Sequence, residues 1–321
     1  MTNTVQVSSP DAVRDAVQHL LQGQYPELDF SLVSDAFDEF TAIFTGEAEG
    51  FEGCDTVYHD IQHTLDMSLA FARLLVGHDR QVGDETRLGP DRAAVGMIVA
   101  LFHDAGYIRR SHENEKSGSE YTRNHVTRGA ALIRDYLNRH GLATAGDVAS
   151  QVVHFTGEEI KHDDIEVDDS KYITVGHLLG TADLIAQMSD RCYLEKCRDR
   201  LFPEFVLGGI ATNGDNKNGK IIYESGIDLL RKTPGFFHET SRKKLDGLFN
   251  KSYRFLEVLF NGENPYMQAV EQNLNYLQVV IAHEMWLKLR REPPCFTSER
   301  SSLSDTQELA QLKLNGIDLG D

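Results

Sequence analysis

Residues 91–107 read DRAAVGMIVALFHDAGY, the most uniformly apolar stretch of the chain. A run that is apolar on every side predicts a central helix, buried on all faces, from about residue 91 to 104. His103 and Asp104 stand at the end of this run. An aspartate buried among apolar residues is costly unless a partner compensates its charge. The stretch therefore predicts both a helical core and a polar site at the end of its central helix.

Helical periodicity continues on both sides of this stretch, and strand patterns are almost absent. HTLDMSLAFARLL (residues 63–75) and VGHLLGTADLIAQMSD (175–190) both read as further core helices. The pattern predicts an all-α fold in three parts. These are an N-terminal helical extension (1–54), a main helical domain (55–292) and a polar C-terminal tail (293–321). We expect the tail to be loosely ordered, apart from a short helix near 304–314. We also expect a polar loop at 208–220, within the main domain.

Composition limits the classes of function. The 321 residues include 50 acidic and 32 basic side chains, for a formal net charge of −18. That charge argues against a nucleic-acid polymer or an anionic membrane as partner, but a bound metal can reverse the local field for a small phosphorylated substrate. No apolar run reaches the roughly 18 residues of a membrane span, and no export signal is visible at the start of the sequence. Four cysteines without a CxxC pair favour a reduced, cytoplasmic protein.

Several polar residues interrupt the apolar helices. In YHDIQHTLDM (residues 58–67), His59 and His63 are four apart and share one helical face. Further imidazoles and carboxylates lie in four other apolar segments. The six candidate metal ligands are His63, His103, Asp104, His125, His154 and Asp183. Each alone is more often a hydrogen-bonded core residue, but their joint order indicates a site, and such groups suit Mn, Fe, Mg or Zn.

The ordered motifs resemble those of the HD superfamily of metal-dependent phosphohydrolases over roughly residues 55–190. YHDIQHTLDM is similar to the opening signature of the cyclic-nucleotide phosphodiesterases, and LFHDAGY and TADLIAQM are similar to their later segments. NHVTRGA and VVHFTG look more like the extra histidine positions of dinuclear HD proteins. The resemblance implies an HD-domain-like helical bundle with N-terminal and C-terminal extensions, and two divalent metal ions.

The resemblance also implies a role for each candidate residue. The first metal would be held by His63, His103, Asp104 and Asp183. Asp104 would bridge to a second metal that His125 and His154 complete. The metal pair would activate a water molecule at neutral pH, and His59 would act as the catalytic acid that protonates the leaving oxygen.

Two positions depart from the family pattern, and three others are candidates for substrate binding. Asp60 stands where the cyclic-nucleotide signature has asparagine, and Tyr107 stands where many HD sequences have histidine. Arg109 and Arg128 are candidate phosphate ligands because a guanidinium can bind phosphate through two hydrogen bonds. Gln278 stands in a segment that distantly resembles the one carrying a purine-binding glutamine.

Three functions remain open at this point. The first is hydrolysis of a phosphodiester or nucleotide phosphate, with a small phosphorylated molecule as substrate. The second is oxygen activation by a mixed-valent di-iron pair, which some HD proteins perform with the same six ligands. The third is a ligand-sensing HD domain without catalysis. The ligand set does not separate the first two, whereas the identity of the metal does.

Overall fold

The computed structural model describes residues 5–213, 220–298 and 302–316. In these ranges the chain forms twelve α-helices. They are α1 (Pro10–Gln24), α2 (Ser31–Thr45), α3 (Ile61–Gln81), α4 (Gly89–Phe102), α5 (His125–Arg139), α6 (Ala143–Val152), α7 (Ser170–Ser189), α8 (Tyr193–Lys196), α9 (Phe202–Leu207), α10 (Gly226–Phe236), α11 (Pro265–Ala282) and α12 (Leu303–Leu314). Short 3-10 turns include Ala105–Tyr107, Gly118–Tyr121, Val153–Thr156, His162–Asp164, Ser252–Val258 and Trp286–Lys288, and π-helical turns span Cys197–Leu201, Phe237–Ser241 and Lys244–Leu248.

The extended structure is very small. β1 (Thr212–Asn213) lies within the predicted polar loop and pairs antiparallel with β2 (Lys220–Ile221), which begins at the end of that loop. The centre of that loop, residues 214–219, lies outside the described residues. The all-α class predicted from the periodicity is confirmed.

Helix α4 lies at the centre of the core, as its uniformly apolar sequence predicts. Every residue from 93 to 102 is buried. The helix contacts its neighbours so closely that a side chain at Gly96 would lie 2.6 Å from the ring of Phe71 on α3 and 3.1 Å from Val175 on α7. The helix ends at Phe102, so the two polar residues that follow lie just beyond it, between α3 and α7.

The helices before residue 54 share this core. Val13, Val17 and Leu21 of α1 and Phe37 and Phe40 of α2 are buried in the same apolar cluster as α3 and α4. The domain boundaries drawn from the sequence stay a prediction. In the described ranges, no helix has the length and apolar character needed to cross a lipid bilayer.

The segment from residue 293 onward is closely packed where it is described. Arg200, 2% exposed, donates to the carbonyl oxygens of Pro293 and Pro294. The amide of Phe296 donates to Asp60 at 3.1 Å. These contacts hold the segment against the chain that leads into α3, so the expectation of loose order is wrong for residues 293–298.

The predicted short helix near 304–314 is confirmed as α12. Its Ala310 is buried against Val206 and Leu207 of α9. The ammonium of Lys313 donates to the carbonyl of Leu207 at 2.7 Å. Residues 299–301 and 317–321 of the predicted tail lie outside the described residues.

A buried aspartate joins α1, α3 and α4, and its replacement gives a test of the fold. Asp79 is fully buried and accepts hydrogen bonds from the hydroxyl of Tyr25 at 2.5 Å and from the amides of Leu88 and Gly89 at 3.0 Å. Burial raises the pKa of Asp79, but hydrogen bonds from His78 and these groups outweigh it and lower the pKa to about 2. We expect Asp79→Asn to lower the free energy of unfolding at pH 7 by about 3 kcal/mol, because hydrogen bonds to a charged group are each worth roughly 1.5–3 kcal/mol.

The pH dependence of that loss follows from the lowered pKa. The unfolded carboxyl protonates near pH 3.9, above the folded one, so its contribution is present above about pH 4 and lost as the pH falls towards 2. Urea unfolding of both proteins at pH 7 and near pH 3 should therefore show a smaller difference at the lower pH. An equal difference at both values would mean that the charge of Asp79 contributes nothing.

Candidate metal centre

Three segments meet at the end of α4. His63 lies in the first turn of α3, His103 and Asp104 follow α4, and Asp183 lies in the middle of α7. One ligand atom from each of His63, His103 and Asp183 lies within 4.8 Å of the others. His63 and His103 are buried, and Asp183 is partly buried. This cluster has the residue types and the spacing to hold a metal ion.

Asp104 lies between this cluster and a further histidine. Its Oδ2 is 3.2 Å from Nε2 of His63 and 3.1 Å from Nε2 of His103. Its Oδ1 is 3.6 Å from Nε2 of His125. The two carboxylate oxygens thus face different histidines, as a carboxylate that bridges two cations would.

The hydrogen bonds on the far side of the rings fix which nitrogens face the cluster. Nδ1 of His103 donates to the carbonyl of Ala100 at 2.8 Å, and Nδ1 of His125 donates to that of Thr122 at 3.0 Å. In the neutral tautomer each Nε2 then carries a lone pair. Nε2 of His103 and Oδ2 of Asp104 are buried and have no hydrogen-bond partner among the described residues. Two buried, electron-rich atoms that face each other fit a cation between them.

The electrostatics of the cluster also favour a cation. Burial lowers the pKa of His63, but the nearby carboxylates of Asp104 and Asp183 outweigh it and raise the pKa to about 10. Burial also lowers the pKa of His103, but the charge of Asp104 raises it, and the net result is a raised pKa. The carboxylates of the cluster therefore stabilise a positive charge, although burial alone would destabilise it.

His154 is buried but lies outside the tight cluster. It is 4% exposed, and its Nδ1 has no hydrogen-bond partner in the part of the chain that is described. Burial lowers its pKa, and the charge of Glu159 opposes this. Glu159 also lies 3.6 Å from Nδ1 of His125, and it accepts from the amide of Val126 at 2.7 Å at the start of α5. Glu159 thus lies near both predicted ligands of a second metal, His125 and His154. Its polar sequence context, GEEIKHDD, did not indicate this position.

A glycine allows α5 to approach the cluster. A side chain at Gly106 would lie 1.8 Å from the carbonyl oxygen of His125. Only a residue without a side chain fits there, so the turn after Asp104 can contact the first turn of α5 directly. This contact places His125 beside Asp104.

His59 is paired with a buried glutamate. Its Nδ1 lies 2.6 Å from Oε2 of Glu204, and the amide of Tyr58 donates to the other oxygen of Glu204 at 2.6 Å. Glu204 is 1% exposed and lies on α9. A carboxylate can only accept from Nδ1–H, so Nε2 of His59 is left for another partner. The sequence reasoning did not select Glu204, although a lone carboxylate within the apolar FPEFVL was an available signal.

Asp183 and Asp60 have partners of their own. The side-chain amide of Gln187 donates to Oδ1 of Asp183 at 3.3 Å, and the hydroxyl of Tyr58 donates to Gln187 at 3.0 Å. Asp60, the departure from the asparagine signature, accepts from the amide of His63 at 3.1 Å. It therefore caps α3, and the turn that presents His63 is fixed by a buried carboxylate.

Two of the three predicted substrate residues, Arg109 and Arg128, pair with carboxylates, and the third lies in a separate groove. Arg109 donates to Asp55 at 2.8 Å, and Arg128 donates to Glu113 at 2.7 Å and to the carbonyl of Gly106 at 2.7 Å. Gln278 is exposed on α11, in a groove of about 370 Å³ that does not include the metal cluster. Their roles in substrate binding stay predictions.

Comparison with known proteins gives one relationship. No curated protein and no solved structure matches the chain significantly. The model of one protein family, described as Npun_R2479-like, matches residues 13–275, which include all of the clustered residues. The chain belongs to the Npun_R2479-like family.

Proposed function

We propose that the protein is a metal-dependent phosphohydrolase of the HD type that hydrolyses a phosphodiester or a nucleotide phosphate. The observation that supports this most directly is the position of Asp104. One of its oxygens faces His63 and His103, and the other faces His125. A carboxylate shared in this way suits two divalent ions a few ångströms apart.

The ligands divide between two positions. His63, His103 and Asp183 would hold the first ion, His125 and His154 would hold the second, and Asp104 would contact both. A metal pair supplies a hydroxide near neutral pH and neutralises the phosphate oxygens. These residues would hold the ions in place, and His63, His103, Asp104 and His154 are buried.

The pair of His59 and Glu204 supports a proton-transfer role. Glu204 holds the Nδ1 proton of His59, so the proton that His59 can give away is the one on Nε2. The rings of His59 and His63 are 5.5 Å apart, centre to centre. Helix α3 begins at Ile61, so His59 lies in the bend before the helix, and the expectation that the two histidines share a helical face is wrong. A leaving oxygen next to the first ion would therefore lie close to a proton donor.

Glu204→Gln tests this pair. The amide keeps the shape of the side chain and can still accept from the amide of Tyr58, but it loses the charge that holds the His59 imidazolium. We expect kcat to fall by at least about 10-fold. The loss should be smaller than the roughly 10²–10⁴-fold expected when a general acid is removed completely, and the metal content should not change. Metal content below that of the unsubstituted protein would instead assign Glu204 a role in metal binding.

The substrate expected from the charge of the protein is small. A net charge of −18 disfavours a polymeric nucleic acid, and the ion pair supplies positive charge locally. Cyclic and linear nucleotides and smaller phosphate esters all satisfy this condition. A location in the cytoplasm stays a prediction from the cysteine content.

The decisive experiment measures metal content and turnover together. The full chain is stripped of metal and reloaded with Mn²⁺ or Fe²⁺ without oxygen. Bound metal is counted by elemental analysis, and turnover is measured on bis-p-nitrophenyl phosphate and on a panel of nucleotides. We expect close to two ions per chain and a phosphatase rate that depends on them. Absence of stoichiometric metal would overturn the proposal. So would a mixed-valent iron EPR signal with oxygen consumption and no hydrolysis, which would favour the oxygenase.

A further inference from the structure

One buried ring contacts two of the functional imidazoles. The ring of Tyr107 stacks on that of His59 with a centroid distance of 4.7 Å and an interplanar angle of 18°. It also stacks on the ring of His125, at 4.3 Å and 17°. Tyr107 is 2% exposed. It is also the position at which this chain departs from the histidine of many HD sequences.

The backbone around Tyr107 leaves the ring little freedom. The preceding residue, Gly106, lies directly against the carbonyl oxygen of His125. On the other side, a side chain at Gly118 would lie 2.2 Å from the carbonyl oxygen of Tyr107. Both glycines thus allow neighbouring segments to pack closely against the backbone on either side of the Tyr107 ring.

The stacking supplies a constraint that the hydrogen bonds of the two histidines lack. His59 is held at Nδ1 by Glu204, and His125 is held at Nδ1 by the carbonyl of Thr122. A single hydrogen bond anchors one atom of an imidazole but leaves the plane free to tilt about it. A stacked ring also constrains the plane of the imidazole.

We propose that Tyr107 is a positioning residue whose ring fixes the planes of His59 and His125 together, and so sets the proton donor relative to the second metal position. This inference rests on the proposed function. In this inference the aromatic face of Tyr107 positions the two imidazoles, and its hydroxyl contributes little to the positioning.

Two substitutions at this position separate the ring from the hydroxyl. Tyr107→Phe keeps the ring, and we expect kcat, KM and the metal content to stay within about twofold of the unsubstituted values. Tyr107→Leu removes the ring, and we expect kcat to fall by about 10- to 100-fold, since misplacement by about 1 Å can cost 10²-fold. We expect KM to change little, and Mn²⁺ titration should show weaker binding of one of the two ions.

A matched control distinguishes positioning from general loss of packing. Tyr136 is equally buried, at 1% exposure. Its ring contacts that of His140, which is not part of the site, at 4.3 Å between centroids and 32° between planes. Tyr136→Leu should lower the melting temperature but leave kcat and both ions unchanged. If Tyr107→Leu fails to fold, Tyr107→Met, with a flexible chain of similar length, takes its place in the same assays.

The outcomes separate this inference from the proposed function. Absence of metal-dependent hydrolysis in the unsubstituted chain would overturn the proposed function. The inference on Tyr107 fails if hydrolysis is present and Tyr107→Leu keeps the original kcat and both ions. It also fails if Tyr107→Phe loses as much kcat as Tyr107→Leu, because the hydroxyl would then be the active group.

Discussion

Asp104→Ala is expected to abolish hydrolysis and to remove both metal ions. Asp104 faces three histidines, with Oδ2 at 3.2 Å and 3.1 Å from His63 and His103 and Oδ1 at 3.6 Å from His125. Loss of a partner that only orients a ligand commonly costs 10- to 100-fold in metal affinity, so loss of a shared ligand should cost more than about 100-fold at each position. Elemental analysis after reloading with Mn²⁺ should return less than one ion per chain.

Asp79→Asn provides the matched control for this substitution. Both aspartates are buried, but Asp79 holds helices together at the opposite end of α4 from Asp104. The control should lose stability and keep its metal, whereas Asp104→Ala should lose metal and remain folded. If Asp104→Ala retained two ions, the shared-carboxylate arrangement would be wrong.

His59→Ala is expected to keep the metal and to lose rate. The ring of His59 is hydrogen-bonded to Glu204, and the site cluster is formed by other residues. If proton donation is its only role, kcat should fall by about 10²–10⁴-fold. Metal content measured on the same preparation should equal that of the unsubstituted protein.

The choice of leaving group makes this prediction sharper. An alkoxide needs a proton as it leaves, whereas p-nitrophenolate is stable without one. The loss of rate in His59→Ala should therefore be large for an alkyl phosphodiester and much smaller for bis-p-nitrophenyl phosphate. An equal loss for both substrates, or loss of metal, would remove His59 from the role of proton donor.

The central part of the fold could be predicted because its signal is local. The uniformly apolar run before His103 indicates a buried helix without knowledge of its neighbours, and α4 confirms it. The convergence of His63, His103 and Asp183 was indicated by polar residues placed in apolar helices, which need compensation wherever they lie. The structure supplies what no local pattern contains, namely which groups meet.

The residues that were missed depend on contacts between distant parts of the chain. Glu204 is 145 positions from His59, and its short helix α9 has no periodicity long enough to read. The partners of Arg109 and Arg128 could not be predicted either, because charge alone does not show which carboxylate a guanidinium pairs with. The segment at 293–298 appeared loose because polar composition indicates exposure to solvent but says nothing of backbone hydrogen bonds to Arg200.

The contact between residues 293–298 and the entry to α3 has a consequence for biosynthesis. The hydrogen bond from Phe296 to Asp60 joins residues 236 positions apart. A nascent chain emerges from the ribosome N-terminal end first, and contacts of such long range form late. The turn that presents His63 therefore gains this hydrogen bond only after residue 296 has been synthesised.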